Sequence, residues 1–458
     1  MERAIRRLVK LLLIGVMSIG LVAACGQVEA PAASPIPSGS SAGAADQQQA
    51  ELDRQIEEWT EAITLDPEFA LAYSERGRAY HMKGDLDRAI ADYDQAIALD
   101  GQLAVAYANR GFALTDKGDL DRAISDLDLA ITLAPQLAVA YSERGRAYYF
   151  KGDLDRAIAD YDQAVALDPQ LAGAYSNRGT AYTDRGDLDL AIVDLNQAIA
   201  LDPQLAGAYS NRGRAYEYKG ELDRAIADYD RAIALDPQVA LSWYNRGNVY
   251  RKKGDLDRAI ADYDQAVALD PQYADAYGNR GNAYADKGDF DQALADLAQA
   301  IALDPEPAEA YSNRGLAYYG NGDLARAIAD FDRAIATDPQ YSRAYYNRGL
   351  AYHKRGDLDR AITDYDQAIA LNPQDAGAYL NCGRAYFGKG DLDRAIADFS
   401  KSIEIDPSHA ITFYSRGVAY AEIDEWEKAI SDLEQCLELK PDPELKEETE
   451  ALLDLLGN

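Results

Sequence analysis

A glycine returns every 34 residues through most of this chain, and this spacing constrains the fold more than any other feature. The repeat glycines, none displaced by an insertion, are Gly77, Gly111, Gly145, Gly179, Gly213, Gly247, Gly281, Gly315, Gly349, Gly383 and Gly417. With Ala70 counted as position 1, eleven consecutive repeats fill residues 70–443. A chain with such a period folds as an array of small similar elements, each packed on its neighbours.

Each repeat has the pattern of two amphipathic helices, called here helix A and helix B. Positions 4, 8 and 11 lie on one side of the first helix, and positions 20, 24 and 27 do the same on the second. Between them, as in Lys83–Asp87, Gly84 suits a left-handed turn and Asp85 suits a helix cap. A proline at position 32, such as Pro169, ends helix B. One pair cannot bury its apolar face alone, so we expect the repeats to stack.

Residues 174–204, AYSNRGTAYTDRGDLDLAIVDLNQAIALDPQ, resemble the consensus of the tetratricopeptide repeat (TPR). The shared features are an aromatic residue at position 4, Gly at 8, Tyr at 11, Ala at 20 and 27, and Pro at 32. The resemblance implies an all-α fold, a TPR α-solenoid in which antiparallel helix pairs form a right-handed superhelix. Flanking the eleven repeats of residues 70–443, we predict an N-terminal half-repeat helix over 51–69 and a C-terminal capping helix over 444–458.

The N-terminus has the layout of a secretory signal peptide. Four basic residues from Arg3 to Lys10 precede an apolar run, Leu11–Ala24, that is short for spanning a bilayer. The following residue is a cysteine, and Val22–Cys25 resembles the bacterial lipobox, where the chain is cut before the cysteine and its thiol carries a lipid. The alternatives are an uncleaved signal anchor and an ordinary signal peptide followed by a chance cysteine.

These features predict a bacterial lipoprotein. The signal peptide covers residues 1–24, and the lipid is attached at Cys25. Residues 25–50 are predicted to be a disordered linker, because they are rich in Pro, Ser, Gly, Ala and Gln and poor in large apolar groups. We expect a lipid-anchored protein of the bacterial cell envelope that faces the periplasm or the exterior.

Charge and composition argue against several classes of function. The formal net charge is −32, so most of the surface repels the phosphates of nucleic acid. The three cysteines and three histidines have no spacing typical of a metal site, and we expect Cys382 and Cys436 to be small buried residues without a disulfide. No clustered nucleophile and base is present. We predict no enzyme activity, cofactor, metal, small-molecule substrate or nucleic-acid partner.

Helix A has a second side, formed by positions 2, 5, 6, 9, 12 and 13, which in TPR proteins lines the ligand groove; we call it the groove face. Position 6 is asparagine in seven successive repeats: Asn177, Asn211, Asn245, Asn279, Asn313, Asn347 and Asn381. An amide both donates and accepts, so it can pair with any peptide backbone. The row resembles the asparagine ladder in the TPR array of O-linked N-acetylglucosamine transferase. The alternative is a polar residue merely tolerated on an exposed face.

Other groove-face residues indicate what a ligand would contain. Aromatic rings there offer docking sites for ligand side chains, although buried rings commonly serve packing alone. These rings are Tyr149, Phe150, Tyr218, Tyr244, Tyr319, Tyr346 and Phe387. Four basic residues, Arg251, Lys252, Lys354 and Arg384, are predicted to attract an acidic peptide. Position 5 is never lysine, so the two-carboxylate clamp of chaperone-adaptor TPRs is not supported.

A further regularity is interpreted as structural. Position 7 is arginine in ten repeats and Cys382 in the other, whereas position 23 is aspartate in all eleven. Helical angles place both positions where helix A meets helix B, so we expect a semi-buried Arg–Asp pair that fixes helix register more than it adds stability. Asp398, opposite Cys382, is then left to contact water or a neighbouring arginine. The acidic residues at positions 16, 18 and 25 are interpreted as helix capping and solubility.

Two functional hypotheses follow. The first is a non-catalytic scaffold anchored to the cell envelope, which holds a protein or extended peptide in its groove by the asparagine ladder. The second is a structural assembly factor of an envelope complex, which uses its convex surface and its ends. Replacing ladder asparagines distinguishes the two, since only the first hypothesis needs the groove.

Overall fold

The computed structural model describes residues 42–456, and this part of the chain forms 24 α-helices joined by short turns. Helices α2 to α23 are helices A (even numbers) and helices B (odd numbers) of the eleven repeats. The bounds are α1 Ala42–Leu65, α2 Ala70–Met82, α3 Leu86–Leu99, α4 Ala104–Lys117, α5 Leu120–Leu133, α6 Ala138–Phe150, α7 Leu154–Leu167, α8 Ala172–Arg185, α9 Leu188–Leu201, α10 Ala206–Tyr218, α11 Leu222–Leu235, α12 Ala240–Lys252, α13 Leu256–Leu269, α14 Ala274–Asp286, α15 Phe290–Leu303, α16 Ala308–Gly320, α17 Leu324–Thr337, α18 Ser342–Lys354, α19 Leu358–Leu371, α20 Ala376–Gly388, α21 Leu392–Ile405, α22 Ala410–Ala421, α23 Trp426–Glu438 and α24 Pro443–Leu456. The predicted signal peptide and the lipid-attachment residue Cys25 lie outside the described residues.

The chain divides into two compact bodies. Among the described residues, the N-terminal body comprises 42–255 together with Ala268–Asp270, and the C-terminal body comprises Leu256–Val267 and 271–456. Within each body, helix A and helix B of a repeat pack as an antiparallel pair, and each pair packs on the next. Each body is therefore an α-solenoid, and the all-α prediction is confirmed.

The turns between helices A and B follow the predicted chemistry. Gly84 has a φ of +78°, the left-handed conformation that ends α2. Asp85 caps α3, because its side chain accepts a hydrogen bond from the backbone N–H of Arg88 at 3.1 Å. In the eleventh repeat Asp424 takes the glycine's place, with a φ of +60°. Interactions between residues close together in the sequence therefore determine where the chain turns between helix A and helix B.

Small residues bring helices A and B close together. An added Cβ on Gly179 in α8 would lie 2.7 Å from Leu195 Cγ and 3.2 Å from the Ala191 carbonyl oxygen, both in α9. The space beside the glycine is filled from helix B by position 24, which is a buried ring or leucine such as Tyr161. Position 11 is buried in some repeats, at Leu114, Tyr216 and Tyr250. Tyr80, at that position, is only partly buried, because it lies beside the turn with an arginine of helix B over its ring.

Single helices flank the repeats. Helix α1 begins at Ala42, so residues 42–50 of the predicted linker lie within it. This segment, AGAADQQQA, is rich in alanine and glutamine, which readily extend a helix that packing has already nucleated; Trp59 supplies that packing against Ala72. Helix α24 begins at Pro443, where the first turn needs no N–H donor. Between residues 42 and 456, no helix combines the length and the apolar character needed to cross a membrane.

Candidate functional site

The predicted pairing of positions 7 and 23 is confirmed. Arg178 in α8 donates from Nε and Nη2 to both carboxylate oxygens of Asp194 in α9, at 2.6 and 2.8 Å. Two parallel bonds of this kind fix the rotation of both helices. We call these the margin pairs, and they are Arg76–Asp92, Arg110–Asp126, Arg144–Asp160, Arg178–Asp194, Arg212–Asp228, Arg280–Asp296, Arg314–Asp330, Arg348–Asp364 and Arg416–Asp432.

The same guanidinium also reaches the preceding repeat, a contact not expected from the sequence. Arg178 Nη1 donates to Asp162 Oδ1 at 2.7 Å, and Asp162 lies at position 25 of the preceding helix B. The ring of Tyr175 lies below the guanidinium, 5.5 Å from its centre. Position 25 therefore joins adjacent repeats as well as contributing solubility. The sequence spacing does indicate this second contact, since Arg178 stands 16 residues after Asp162 and 16 residues before Asp194.

The repeat that contains Cys382 lacks this bridge. Cys382 is buried, with its thiol 3.8 Å from Asp366 Oδ1 at position 25 of the preceding helix B. Asp398 Oδ2 is buried and has no hydrogen-bond partner in the described part of the chain, so the predicted arginine contact does not form. Burial raises the pKa of Asp366 and of Asp398 above the ordinary 3.8. Cys382 and Cys436 are both buried and form no disulfide, as predicted.

A cavity of about 520 Å³ opens on the groove face of the N-terminal body. It is formed by the helices A of four successive repeats, α6, α8, α10 and α12. Its lining combines aromatic rings with amides and one guanidinium, and includes four of the predicted docking aromatics. The lining residues are Tyr149, Phe150, Thr180, Ser210, Asn211, Arg214, Glu217, Tyr218, Leu241, Tyr244, Asn245 and Asn248.

Arg214 lines this cavity, and two of its nitrogens are buried without a hydrogen-bond partner among the described residues. Its Nη2 lies 3.0 Å from Asp184 Oδ1, close enough for an ion pair but at an angle that makes no hydrogen bond, and its Nε is also without a partner. The other carboxylate oxygen of Asp184 accepts from the Tyr149 hydroxyl at 2.5 Å. Burial, together with this carboxylate, raises the pKa of Tyr149 to about 12, so the hydroxyl stays protonated. Arg214 Nε and Nη2 are themselves buried, so the guanidinium contributes positive charge to the lining and these two donors do not reach solvent.

Position 6 does not form a uniform ladder. Asn211 and Asn245 line the cavity, as a ligand-binding role requires. Asn177 and Asn347 are only 1% and 5% exposed, so the prediction that they face a ligand is wrong. The physical reason is that position 6 packs against position 5 of the preceding helix A: Asn347 Nδ2 donates to Ser312 Oγ at 3.2 Å. Serine also stands at this place before Asn211 and Asn245, so the size of this neighbour alone does not decide which amides are exposed.

The remaining rungs lie in the C-terminal body and are partly buried. Asn381 Nδ2 donates to the Tyr346 hydroxyl at 2.9 Å and to the Gly377 carbonyl oxygen at 3.0 Å, so its amide hydrogens are already used within the chain. Asn279 and Asn313 are also partly buried. The row therefore contains rungs of different accessibility, which the sequence pattern alone does not distinguish.

The four predicted basic residues are divided equally between the two bodies. Arg251 and Lys252 lie in the N-terminal body, where Arg251 Nε is buried without a partner and Lys252 Nζ donates to Glu217 Oε1 at 2.5 Å. Lys354 and Arg384 lie in the C-terminal body, where Lys354 Nζ sits 4.5 Å from the centre of the Tyr319 ring. Across residues 42–456, no group of three or more His, Cys, Asp or Glu side chains is placed to hold a metal ion.

Solved structures similar to this chain include other helical repeat proteins. The APC/C hetero-tetramer Cut9–Hcn1 is 16% identical, with a TM-score of 0.48 over 90% of this chain and 95% of that one. MamA is 36% identical, with a TM-score of 0.33 over 35% of this chain and 94% of that one. YrrB, described as a TPR protein with an unusual peptide-binding site, is 25% identical, with a TM-score of 0.34 over 41% and 97%. No curated protein sequence matches the chain.

Family models match the repeats directly. A model described as TPR repeat matches residues 77–115, 145–183, 179–218, 213–253 and 247–288. Models described as tetratricopeptide repeat match residues 279–342, 312–376, 346–410 and 380–443, and also 58–91 and 104–137. Members of this family are typically non-catalytic scaffolds, and the fold is consistent with protein–protein interaction. With matches that run from residue 58 to residue 443 and omit only 138–144, the chain belongs to the tetratricopeptide-repeat family.

Proposed function

We propose that this protein is a non-catalytic scaffold that binds a protein segment or extended peptide in the groove-face cavity of its N-terminal body. The observation that carries the proposal is the cavity, with its volume of about 520 Å³ and its aromatic and amide lining. Sites for peptides combine apolar surface, which supplies affinity, with a few polar groups that fix the orientation of the ligand. This cavity contains both.

Each part of the lining has a role in this proposal. Phe150 and Tyr218 are 37% and 57% exposed, so a ligand that covered them would remove apolar surface from water. Asn211 and Asn245 present amides that can pair with a peptide group of any sequence.

The test is peptide binding by full-length protein in detergent. Peptides are selected on the protein from a random library, and their affinities are measured by fluorescence polarisation. Replacing Tyr218 and Asn211 together by alanine should weaken binding about tenfold or more, because both an aromatic anchor and a backbone partner are lost. The matched control is Val193→Ala, on helix B and 63% exposed, which should leave affinity unchanged.

Unchanged affinity in the double variant would reject the cavity as the binding site. In that case the assembly-factor alternative, with partners on other surfaces, becomes the better account. Thermal melting of each variant separates lost binding from lost folding.

We also propose that Cys25 anchors the scaffold to a membrane of the bacterial cell envelope. Support comes from the apolar run Leu11–Ala24 and its junction with Cys25. Mass spectrometry of the N-terminal peptide from a bacterial host should show cleavage before Cys25 and an added diacylglyceryl group, and Cys25→Ala should release the protein from the membrane fraction. An unmodified Cys25 would contradict the anchor without affecting the scaffold.

A further inference from the structure

Arginines at position 9 of helix A are usually matched by a carboxylate of the chain itself. Arg146 Nη2 donates to Asp116 Oδ1 at 2.8 Å, and Asp116 lies at position 13 of the preceding helix A. Arg214 has Asp184 at that same place, with 3.0 Å between the charged atoms. The chain thus shows twice that position 13 of one repeat reaches position 9 of the next.

Position 6 supplies the second kind of internal partner. Arg78 pairs with Glu75 at 3.0 Å, and Arg146 also pairs with Glu143 at 3.0 Å. In each case the carboxylate is three residues before the arginine on the same helix. An arginine at position 9 can therefore pair with a carboxylate at position 13 of the preceding helix A or at position 6 of its own helix. Arg78, Arg146 and Arg214 each use at least one of these two positions.

Arg384 occupies position 9 in α20, but neither place holds a carboxylate. Lys354 stands at position 13 of α18, where Asp116 and Asp184 stand in their repeats, and Asn381 stands at position 6. Within residues 42–456, no carboxylate forms an ion pair with Arg384, and the groups that influence it are Tyr346 and Tyr365. At the place where Arg146 and Arg214 have an aspartate, Arg384 therefore has a second positive charge, Lys354.

Tyrosine rings and an amide surround these two cations on the groove face. Lys354 Nζ lies 4.5 Å from the centre of the Tyr319 ring, and the Tyr346 hydroxyl accepts from Asn381 Nδ2 at 2.9 Å. Burial lowers the pKa of Arg384 from its ordinary 12.5, and burial and Arg384 together lower the pKa of the adjacent His353, so His353 is neutral at pH 7. The guanidinium is partly buried, yet its nitrogens are not sealed from the surface. A partly buried cation without a counter-ion is unfavourable, and an anion from outside would relieve it.

We propose that Arg384 and Lys354 form a separate peptide contact in the C-terminal body, where they bind the carboxylate side chain of an aspartate or glutamate. This inference rests on the proposed peptide-binding function and names one chemical requirement of the ligand. The incoming carboxylate takes the place that Asp116 and Asp184 occupy in their own repeats. The internal pairs therefore define the ligand group: a carboxylate oxygen within hydrogen-bond distance of the guanidinium.

The test uses two fluorescein-labelled peptides, Gly-Tyr-Gly-Glu-Gly-Tyr-Gly and the same peptide with Gln in place of Glu, on the full-length protein in detergent. The Glu peptide should bind about tenfold or more tightly than the Gln peptide, as expected for a charge-assisted hydrogen bond. Arg384→Gln should abolish this preference. Lys354→Asp should abolish it too, because the new carboxylate supplies the internal partner that Arg146 and Arg214 already have.

Arg78→Gln is the matched control, since Arg78 occupies the same repeat position and is already paired with Glu75. It should keep the preference for Glu. Circular dichroism of each variant checks folding, and Lys354→Asp is expected to fold because aspartate stands at that position in other repeats.

Three results would overturn the inference. They are equal affinity for the two peptides, no binding of the Glu peptide, and a Glu preference that persists in Arg384→Gln. A phosphoserine peptide that binds more tightly than the Glu peptide would overturn the carboxylate assignment in favour of phosphate. None of these results affects the random-library selection and the cavity variants, so failure of this inference and failure of the proposed function are distinguishable.

Discussion

Arginines at the margin between helices A and B and arginines on the groove face have different surroundings in the same scaffold. At the margin, Arg178 bonds to Asp194 in its own repeat and to Asp162 in the repeat before. On the groove face, Arg214 keeps donors unused, and Arg384 has no carboxylate partner among residues 42–456. The margin repeats almost without change along the chain, whereas position 9 of the groove face varies from repeat to repeat.

This difference separates residues that maintain the array from residues available to a ligand. A margin arginine has its hydrogen-bonding capacity used by the fold, so removing its partner destabilises the protein. A groove-face arginine with incomplete hydrogen bonding contributes less to folding, and Arg384, whose nitrogens reach the surface, has capacity left for binding. Stability measurements should therefore rank the two regions in a definite order.

The largest effect is expected at the margin. Asp194→Ala removes the semi-buried partner of Arg178, whose side chain is only 15% exposed. This substitution should lower the free energy of unfolding by about 3 kcal/mol. The matched control is Asp162→Ala, which removes the other carboxylate, 50% exposed, and should cost less than about 1 kcal/mol. Urea unfolding compares the two, and equal losses would contradict a structural role specific to the margin pair.

Close packing of helices A and B should give the next effect. Gly179→Ala places a Cβ 2.7 Å from Leu195 Cγ and should lower stability by about 2 kcal/mol. Gly186→Ala is the comparison, because a Cβ at Gly186 would meet no other atom within contact distance. Only the backbone φ of +93° opposes a side chain there, and this strain should lower stability by about 1 kcal/mol. Thermal and urea unfolding measure both, and a larger loss at Gly186 would show that backbone conformation outweighs packing.

Cys382, the one position 7 residue that is not arginine, allows a test in which a substitution should increase stability. Cys382→Arg restores a guanidinium between Asp366 and Asp398 and should raise stability by about 1 kcal/mol at pH 7. Burial raises the pKa of both carboxyl groups, so their ionisation destabilises the native protein at neutral pH, and this penalty disappears as they become protonated on acidification. The gain should therefore shrink as the pH falls toward the ordinary carboxyl value of 3.8.

Melting temperatures of Cys382→Arg and the parent protein at pH 7 and in acid give this comparison. Combining the substitution with Asp398→Asn is the control and should remove most of the gain. A gain that is independent of pH would mean that packing, and not charge, is responsible.

The smallest effect is expected on the groove face. Lys354→Asp gives Arg384 an internal carboxylate and should raise stability by about 0.5 kcal/mol, since the pair is only partly buried. The reciprocal change, Asp184→Lys beside Arg214, should lower stability by a similar amount. Chemical unfolding measures the change in the free energy of unfolding for both variants. Changes of the same sign would contradict the view that an internal carboxylate at position 13 stabilises the arginine at position 9 of the next repeat.

Much of the fold could be predicted because the relevant physics is local and is repeated. Gly84 and Asp85 end one helix and begin the next through interactions within a few residues of each other. The margin pair was predictable because Arg178 and Asp194 lie at the edges of two helical stripes whose phase follows from the 34-residue period.

Accessibility and partner choice on the groove face depended on tertiary packing. Asn177 and Asn211 stand at the same repeat position, yet one is buried and the other lines a cavity. A helical period assigns a residue to a face, but its burial depends on how closely the preceding helix A packs against it. Both asparagines follow a serine at position 5 of that helix, Ser142 and Ser176, so residue type alone does not predict the difference.

The sequence therefore determined the repeat, the two helices and the margin pair, because each depends on spacing within one repeat. The tertiary structure determined the contact between Arg178 and Asp162 and left Arg384 without a carboxylate partner among residues 42–456, because these depend on how successive repeats are packed together.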